Sequence, residues 1–385
     1  MTITTDHVIP FNRPHLTGDE SELIAAALAC RSLEGDGRYT SRATDLLTKM
    51  VGATSALLTT SCTHALEMSA LLLDLEPGDE VVMPSFTFPS TANGYALRGA
   101  VPVFVDCRPD TLNMDERLLE DALTERTRAI VVVHYGGVAC EMDAIMEIAD
   151  RHDLPVVEDN SHGLGASYRG QQLGSLGVMA TQSFHSTKNA HCGEGGALLF
   201  NGTDHLQRAE LIREKGTNRR QFFRGEIDKY QWVDIGSSYL PSDLLAACLI
   251  AQLENFDAIQ ARRLQVWDIY QERLAGWAER NGVVQPTVPE ECAHPAHLYY
   301  LLLPDLEHRH ALMDHLAARG IRSAFHYMPL HSAPAGRRYG RTAPGGCPVT
   351  ERVADQLLRL PVYTDLTDSD VERVLEAVTS FRVRA

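Results

Sequence analysis

The stretch that decides the fold reads Thr181-Gln182-Ser183-Phe184-His185-Ser186-Thr187-Lys188-Asn189-Ala190-His191-Cys192-Gly193-Glu194-Gly195-Gly196-Ala197-Leu198-Leu199-Phe200. Two short segments, Thr181–Phe184 and Gly196–Phe200, flank a polar loop that carries one lysine and ends in a glycine-rich turn. Short runs bounded by turn residues read as buried strands. Outward from this point the pattern recurs at Ala56–Thr60, Glu80–Met83, Val101–Val105, Ala129–His134 and Leu154–Glu158. The segments Ser61–Leu75, Asp115–Leu123 and Met142–His152 show helix-like apolar spacing. Apolar strands alternating with helices form a largely parallel sheet covered on both faces. The expectation is an α/β fold.

Beyond Gly202 the pattern changes. A charged helix (Leu206–Lys215) leads into an Arg-rich, aromatic stretch (Gly216–Tyr239), then a long helical run from Ser242 to about Ala278 that would bridge two domains. Ala296–Leu303 reads as a strand, and His308–Arg319, Val349–Leu358 and Ser369–Phe381 as helices, giving a smaller α+β domain. The predicted division is 10–255 for the large α/β domain and 256–385 for the small one. The patch His331–Pro348, dense in Gly, Pro and Arg, reads equally as a mobile lid and as a surface loop.

A chain of 385 residues exceeds the size at which one core usually stops growing, so two domains are the default. Its net charge of -16 argues against a nucleic-acid partner, which needs a basic footprint. The eight cysteines are scattered with no C-x-x-C pair, fitting neither a zinc site nor a disulfide scaffold, so no metal is expected. The stretch Met1–Pro10 lacks the apolar run of a secretory signal, and no segment is long and apolar enough to span a membrane. The reading is a cytoplasmic protein with no membrane partner.

The chain has 31 arginines and four lysines, Lys49, Lys188, Lys215 and Lys229. Lys49 lies in an amphipathic helix, and Lys215 and Lys229 lie among charged neighbours. Lys188 follows a strand, at the carboxyl end where open α/β sheets bind ligands; taken alone, it is also compatible with a surface loop. At Thr59-Thr60-Ser61-Cys62-Thr63-His64 a strand runs straight into a helix, so free N–H groups and the positive dipole end form a phosphate cradle. An ordinary N-cap is the plainer alternative. The strand Leu154–Val157 ends in Glu158-Asp159-Asn160-Ser161-His162, placing a carboxylate at a buried strand tip; Asp159 suits the task of holding a protonated pyridine ring. Phe86, in Pro84-Ser85-Phe86-Thr87-Phe88, offers a ring to stack on a cofactor or to close the core.

Four ordered motifs now coincide: Ser61–Glu67, Gly78–Val81 with Pro84–Phe88, Glu158–Gly163, and Ser183–Asn189 followed by Gly193–Gly196. With them the chain resembles the DegT/DnrJ/EryC1/StrS family of pyridoxal phosphate (PLP) dependent nucleotide-sugar aminotransferases, from Pro10 to about Leu360. The resemblance implies an aspartate-aminotransferase-like (PLP fold type I) architecture with a mostly parallel seven-stranded sheet. It also implies that Lys188 carries the cofactor, Asp159 pairs with the pyridine nitrogen, His162 sits near the ring hydroxyl and Phe86 stacks on the ring. Ser61, Cys62, Thr63 and Ser183 would hold the phosphate. The runs Lys215–Gly225 and Phe325–Ser332 are similar to those of enzymes that aminate C-4 of dTDP-4-keto-6-deoxyglucose, with L-glutamate as donor and pyridoxamine phosphate as the intermediate cofactor form. Arg38, Tyr39, Phe88, His185, Arg219, Arg220, Arg224, His326, Tyr327 and His331 are the substrate-binding candidates. A homodimer with shared active sites follows from the family, the Gly216–Tyr239 segment being the expected partner contact.

One departure stands out. Many relatives carry Gly-x-Asn-Tyr-Arg where this chain has Gly236-Ser237-Ser238-Tyr239-Leu240, leaving Ser238 to replace a cross-subunit Asn. The alternatives are a 3-keto sugar aminotransferase, a PLP-dependent sugar dehydratase, and a silent nucleotide-sugar-binding scaffold. Retention of Lys188 counts against the dehydratase, and Lys188 together with Asp159 against the scaffold.

Overall fold

The computed structural model describes residues 8–31 and 33–383; the leading part of the segment judged free of a secretory signal, residues 1–7, lies outside them. The strands are β1 (Ser55–Thr59), β2 (Glu80–Pro84), β3 (Val101–Val105), β4 (Thr127–Val133), β5 (Val156–Asp159), β6 (Ser167–Tyr168), β7 (Gln171–Gln172), β8 (Met179–Ser183), β9 (Gly196–Phe200), β10 (Cys292–Ala293), β11 (Tyr299–Leu302), β12 (Arg341–Thr342) and β13 (Leu357–Leu360). The main sheet has the order β1-β9-β8-β5-β4-β2-β3-β12. Only β9 runs against the others.

Seven of these strands are the seven apolar runs of the sequence. Their residues are buried on both faces: Val81 and Met83 pack into one core and Val82 into another, as period-2 alternation requires. The eighth strand, β12, was not expected. It lies in the patch His331–Pro348, which is neither lid nor plain loop: it forms a short helix, Pro334–Tyr339, and then pairs with β3. The side chain of Arg341 anchors it, donating from Nε and Nη2 to the two oxygens of the fully buried Glu80 at 2.9 and 2.6 Å.

The long helical run from Ser242 is two helices, Asp243–Glu254 and Phe256–Asn281, broken at Asn255, which leaves the helical region with ψ 13°. Beyond it a second core gathers Trp267, Tyr270, Trp277, Tyr299, Leu301, Leu358, Leu360 and Leu375 around the antiparallel pair β11–β13. The predicted helix Val349–Leu358 stops at Gln356 and its end becomes β13, because Leu357 to Leu360 extend to pair with β11. Asp106 of the large sheet caps that helix, accepting from Val349 N, Thr350 N and the Thr350 hydroxyl at 2.7–2.8 Å. All eight cysteines are unpaired. No described helix is long and apolar enough to cross a membrane.

Candidate active site

The carboxyl edge of the sheet collects the site. β1, β5 and β8 end there at Thr59, Asp159 and Ser183, and the reversed β9 begins there, so Gly196 is paired with Thr59 on one side and Ser183 on the other. Above this edge and against the β11–β13 pair lies a cleft of about 760 Å³ lined by Ser61, Cys62, Thr63, Asp159, His162, Ser183 and Lys188, among others.

The cradle is built by the helix Cys62–Leu72. Ser61 is its N-cap, its hydroxyl accepting from His64 N at 3.2 Å. Among the described residues, the N–H groups of Cys62 and Thr63 meet no protein acceptor, as expected of a first helical turn. The Thr63 and Ser90 hydroxyls are 2.8 Å apart beside them. Gly196 must lack a side chain here: a Cβ would stand 2.3 Å from Cys62 N. The result is a set of neutral donors on a positive helix end, suited to a phosphate.

Two adjacent carboxylates end β5, and strand alternation separates their tasks. Glu158 turns into the protein and is fully satisfied, accepting from Gly174, Leu176 and Gly177 N–H at 2.7–2.8 Å and contacting His134 at 2.9 Å. Asp159 faces the cleft. Thr91 donates to its Oδ2 at 2.8 Å and Ser161 N to its Oδ1 at 3.2 Å, and Thr87 in turn holds Thr91 at 2.8 Å. The carboxylate is thus fixed in orientation with acceptor capacity left over.

Lys188 enters the same cleft from the β8–β9 loop. Burial brings its ammonium down to about 8, with Cys62 and Asp159 opposing and Arg359 adding to the shift. The Cys62 thiol is pushed up to about 12 by burial, so it sits there as a neutral group. Beside Lys188, His162 is held well below the ordinary imidazole range by burial and by the nearby Lys188 and Arg359 cations. Gly136, at φ 65°, turns its N–H onto His162 Nδ1 at 3.2 Å, so the proton of the neutral ring is on Nε2, 3.2 Å from the Tyr327 hydroxyl. His297 stacks on His162 with centroids 4.2 Å apart and is itself held by Asn189 at 3.0 Å.

The structure sorts the predicted residues. Phe88, His185, His326 and Tyr327 line the cleft with the cofactor set. Phe86 does not: it is 1% exposed and packs edge-on against Tyr327 and tilted against Tyr135, while Phe88, two residues on, is 57% exposed at the cleft wall. The strand-end turn therefore spends the first aromatic on the core and presents the second. The arginines fall outside the cleft because carboxylates claim them: Arg220 pairs with Glu210 at 2.9 Å, Arg224 with Glu226 and Glu210, and Arg219 with Glu214 while lying over Phe223. Arg38 binds the Tyr39 hydroxyl, and Tyr39 is buried where Asp243 caps its helix through Tyr39 N and Thr40 N. His331 bridges Ser85 and Glu351, and Ser238 is exposed in a bridge to Glu214. None of these last residues lines the cleft of its own chain. The cleft also holds residues that sequence reading passed over: Phe11, Asn12, Ser90, His297 and Arg359. A lone arginine in the apolar run Leu357-Leu358-Arg359-Leu360 was a usable signal. Among the described residues, no group of His, Cys, Asp or Glu is arranged to hold a metal ion.

PLP requires an anion cradle, a carboxylate for its ring nitrogen and an amine that loses its proton near neutrality, and the cleft supplies all three: the open Cys62 and Thr63 N–H groups, Asp159 and Lys188. Comparison with known proteins agrees. The chain is 33% identical over 349 residues to an uncharacterized protein of Methanocaldococcus jannaschii, covering 89% of each. Its fold matches the aminotransferase TlmJ of Streptoalloteichus hindustanus with a TM-score of 0.89 at 30% identity, over 97% of this chain and 98% of that one. It also matches Spr1654 of Streptococcus pneumoniae, solved in its PLP form, with a TM-score of 0.88 at 26% identity, over 97% and 98%. Residues 14–379 match the family profile itself, and the chain belongs to the DegT/DnrJ/EryC1/StrS aminotransferase family, whose members work with PLP.

Proposed function

We propose that the protein transfers the amino group of L-glutamate to the 4-keto carbon of a dTDP-4-keto-6-deoxyhexose, giving the dTDP-4-amino-4,6-dideoxyhexose and 2-oxoglutarate. The observation that carries the transaminase chemistry is the convergence of Lys188, Asp159 and the Cys62–Thr63 helix end on one cleft. The sugar-nucleotide assignment is supported by the Lys215–Gly225 and Phe325–Ser332 runs and by a cleft of about 760 Å³, larger than a dicarboxylic amino acid needs.

PLP, when bound, supplies an electron sink and a carrier for the amino group between two half-reactions. The chain's own groups do the rest. Ser61, Thr63, Ser90 and the free N–H groups would hold the phosphate; Asp159, oriented by Thr91 and Ser161 N, would keep the ring nitrogen protonated. Phe88, on the cleft wall, would cover one ring face, and His162, with its proton on Nε2, stands with Tyr327 beside the cleft. Lys188 Nζ takes a proton from the donor's α-carbon and returns it elsewhere, a task that needs a neutral amine; its value of about 8 leaves roughly a tenth of it neutral at pH 7.

A homodimer is part of the same reading. Phe222, Phe223, Tyr230 and Trp232 are exposed together on the Arg-rich segment, Trp232 at 78%, more apolar ring surface than a lone chain usually shows to water. On a partner's cleft edge, Arg219, Arg220, Arg224 and Ser238 could serve the diphosphate they do not reach in their own chain.

The test is product analysis with PLP, L-glutamate and a panel of 3-keto and 4-keto sugar nucleotides, next to Lys188→Ala. The expected result is one amine gained per 2-oxoglutarate formed, selectively with the dTDP-4-keto-6-deoxy substrate, and covalent cofactor trapped by borohydride only when Lys188 is present. A deoxygenated product without nitrogen would assign the dehydratase instead, and failure to capture PLP would assign the scaffold.

A further inference from the structure

The residue after Lys188 ties its loop to the helix Phe256–Asn281 and to the turn that leads into β11. Asn189 is only 6% exposed, so its amide must find partners inside the protein. Its Nδ2 donates to the Pro295 carbonyl at 2.7 Å and to Gln260 Oε1 at 3.3 Å, and its Oδ1 lies 3.0 Å from His297 Nδ1. The amide cannot be turned round, because its oxygen would then face the Pro295 carbonyl. Oδ1 therefore accepts and His297 Nδ1 carries a proton, while Nε2 has no protein partner among the described residues. Burial, followed by the influence of His162, Lys188 and Arg263, holds the ring well below the ordinary imidazole range, so it is neutral.

The backbone beneath His297 is held as firmly. Ala296 stands at φ 46°, in the left-handed region that a side chain resists, so the surroundings must impose it. The guanidinium of Arg263, 3% exposed and with no ion pair among the described residues, donates from Nε to the Ala296 carbonyl at 3.2 Å and from Nη2 to the His297 carbonyl at 2.7 Å. Gln260 and Arg263 lie one turn apart on the same helix, so one helix face grips both the His297 backbone and its Asn189 anchor. The ring so placed lies against His162, with centroids 4.2 Å and planes 24° apart. His162 is fixed at its two nitrogens by Gly136 N and Tyr327, and His297 closes one of its faces. Lys188, Asn189, His162 and His297 border a common cavity of only about 10 Å³, room for no more than a single water. Nothing larger fits between them, so the cluster is framework and not a second binding pocket.

We propose that His297 is a positioning residue anchored by Asn189: it fixes the plane of His162 and couples that plane to the loop of Lys188, so the imidazole and the amine keep one mutual placement. The inference rests on the aminotransferase reading of the cleft, under which these two groups flank the same ring. A strained turn and a buried cation without a carboxylate are costly to maintain, and a passive aromatic wall would need neither. Misplacement by about 1 Å is enough to slow an oriented reaction roughly 100-fold.

The test compares wild type with His297→Phe, which keeps a flat ring and removes the bond to Asn189, with Asn189→Ala, and with the double variant. Imidazole nitrogen NMR spectra of the cofactor-free proteins, the His297 signals being assigned by their loss in His297→Phe, are expected to show a neutral ring protonated on Nδ1 in wild type and a shift toward the Nε2 tautomer in Asn189→Ala. His297→Gln serves the same assignment should the phenylalanine variant fold poorly. In single-turnover absorbance measurements on the PLP-loaded proteins, each single variant should react with saturating L-glutamate at least ~10-fold more slowly, while the half-saturating concentration changes less than about 3-fold. Because the two residues act as a unit, the double variant should stay within about 2-fold of the slower single one. A wild-type His297 protonated on Nε2, single variants that react at the wild-type rate, or losses that multiply in the double variant would overturn the assignment. A wild type inert toward L-glutamate would instead refute the aminotransferase reading, with the tautomer still read from the cofactor-free spectra.

Discussion

Replacing Arg341 by alanine isolates the tie that binds β12 to the main sheet. Glu80 is fully buried and takes four hydrogen bonds, from Arg341 Nε and Nη2, Arg126 Nη2 and the Thr124 hydroxyl, at 2.6–2.9 Å. These donors, Arg341 foremost, pull its carboxyl from the ordinary 4.5 to about 2 against the opposing effect of burial. That difference is worth about 3 kcal/mol at neutral pH. The folded value lies below the unfolded one, so the contribution is complete above about 4.5 and is lost as the pH falls toward about 2. Arg341→Ala removes the bidentate pair and leaves a buried carboxylate with two partners, at an expected cost of about 2–3 kcal/mol at pH 7, somewhat below the usual range for a broken buried pair because Arg341 is partly exposed. Urea unfolding of both proteins at about pH 7 and about pH 3.5 measures it. At the lower pH the wild type has already given up about 1.4 kcal/mol of the Glu80 contribution, while the variant, whose Glu80 keeps Arg126 and Thr124, gives up less, so the gap between the proteins should narrow by about 0.4–1 kcal/mol. A gap of the same size at both pH values would refute the electrostatic reasoning and assign the loss to side-chain packing alone.

Three further outcomes are expected. Thr91→Val removes the hydroxyl that orients Asp159, and loss of a hydrogen bond to a buried carboxylate should slow turnover about 10- to 100-fold while the PLP content of the purified protein stays near wild type; turnover within twofold of wild type would show that Asp159 needs no such support. Because only neutral Lys188 can capture the cofactor, the rate at which cofactor-free protein takes up PLP should climb with pH through about 8 and level off above it; a flat profile between pH 7 and 9 in stopped-flow absorbance would contradict the value. The two aromatics of the β2 turn should separate: Phe86→Ala should cost about 3–5 kcal/mol of stability as a core deletion, whereas Phe88→Ala should weaken PLP retention on dialysis and leave the unfolding midpoint nearly unchanged, and the opposite pattern would restore Phe86 as the stacking ring.

The parts of the site that were legible in the sequence are those written in consecutive residues. Lys188 stood out because only four lysines exist and one follows a strand into a glycine-rich turn; the cradle at Ser61–Thr63 was visible as a strand running directly into a helix. The parts that were missed depend on partners far away along the chain. Arg219, Arg220 and Arg224 drew attention by charge, yet charge in a sequence does not reveal whether Glu210 or Glu226 has already claimed it. His297 and Arg359 reach the cleft only because the segment around β11 and β13 packs over the sheet edge, a contact that no local pattern announces. The helix break at Asn255 involves neither proline nor glycine, and the switch from helix to strand at Leu357 is decided by pairing with β11, so both boundaries answer to tertiary contacts over local propensity.

The single reversed strand of the sheet has a consequence for how such a site can change. Because β9 runs backward, the hairpin that carries Lys188 is zipped at Gly196 to the strand that feeds the phosphate cradle, and one glycine sits between the two anchors of the cofactor. The lysine and the helix end assigned to the cofactor in the proposed reading therefore share a hinge pin. A substitution there would move the Lys188 hairpin and the Cys62 helix end at once, whereas the outer walls of the cleft, where Phe88, His326 and Arg359 stand, can change without touching the pin.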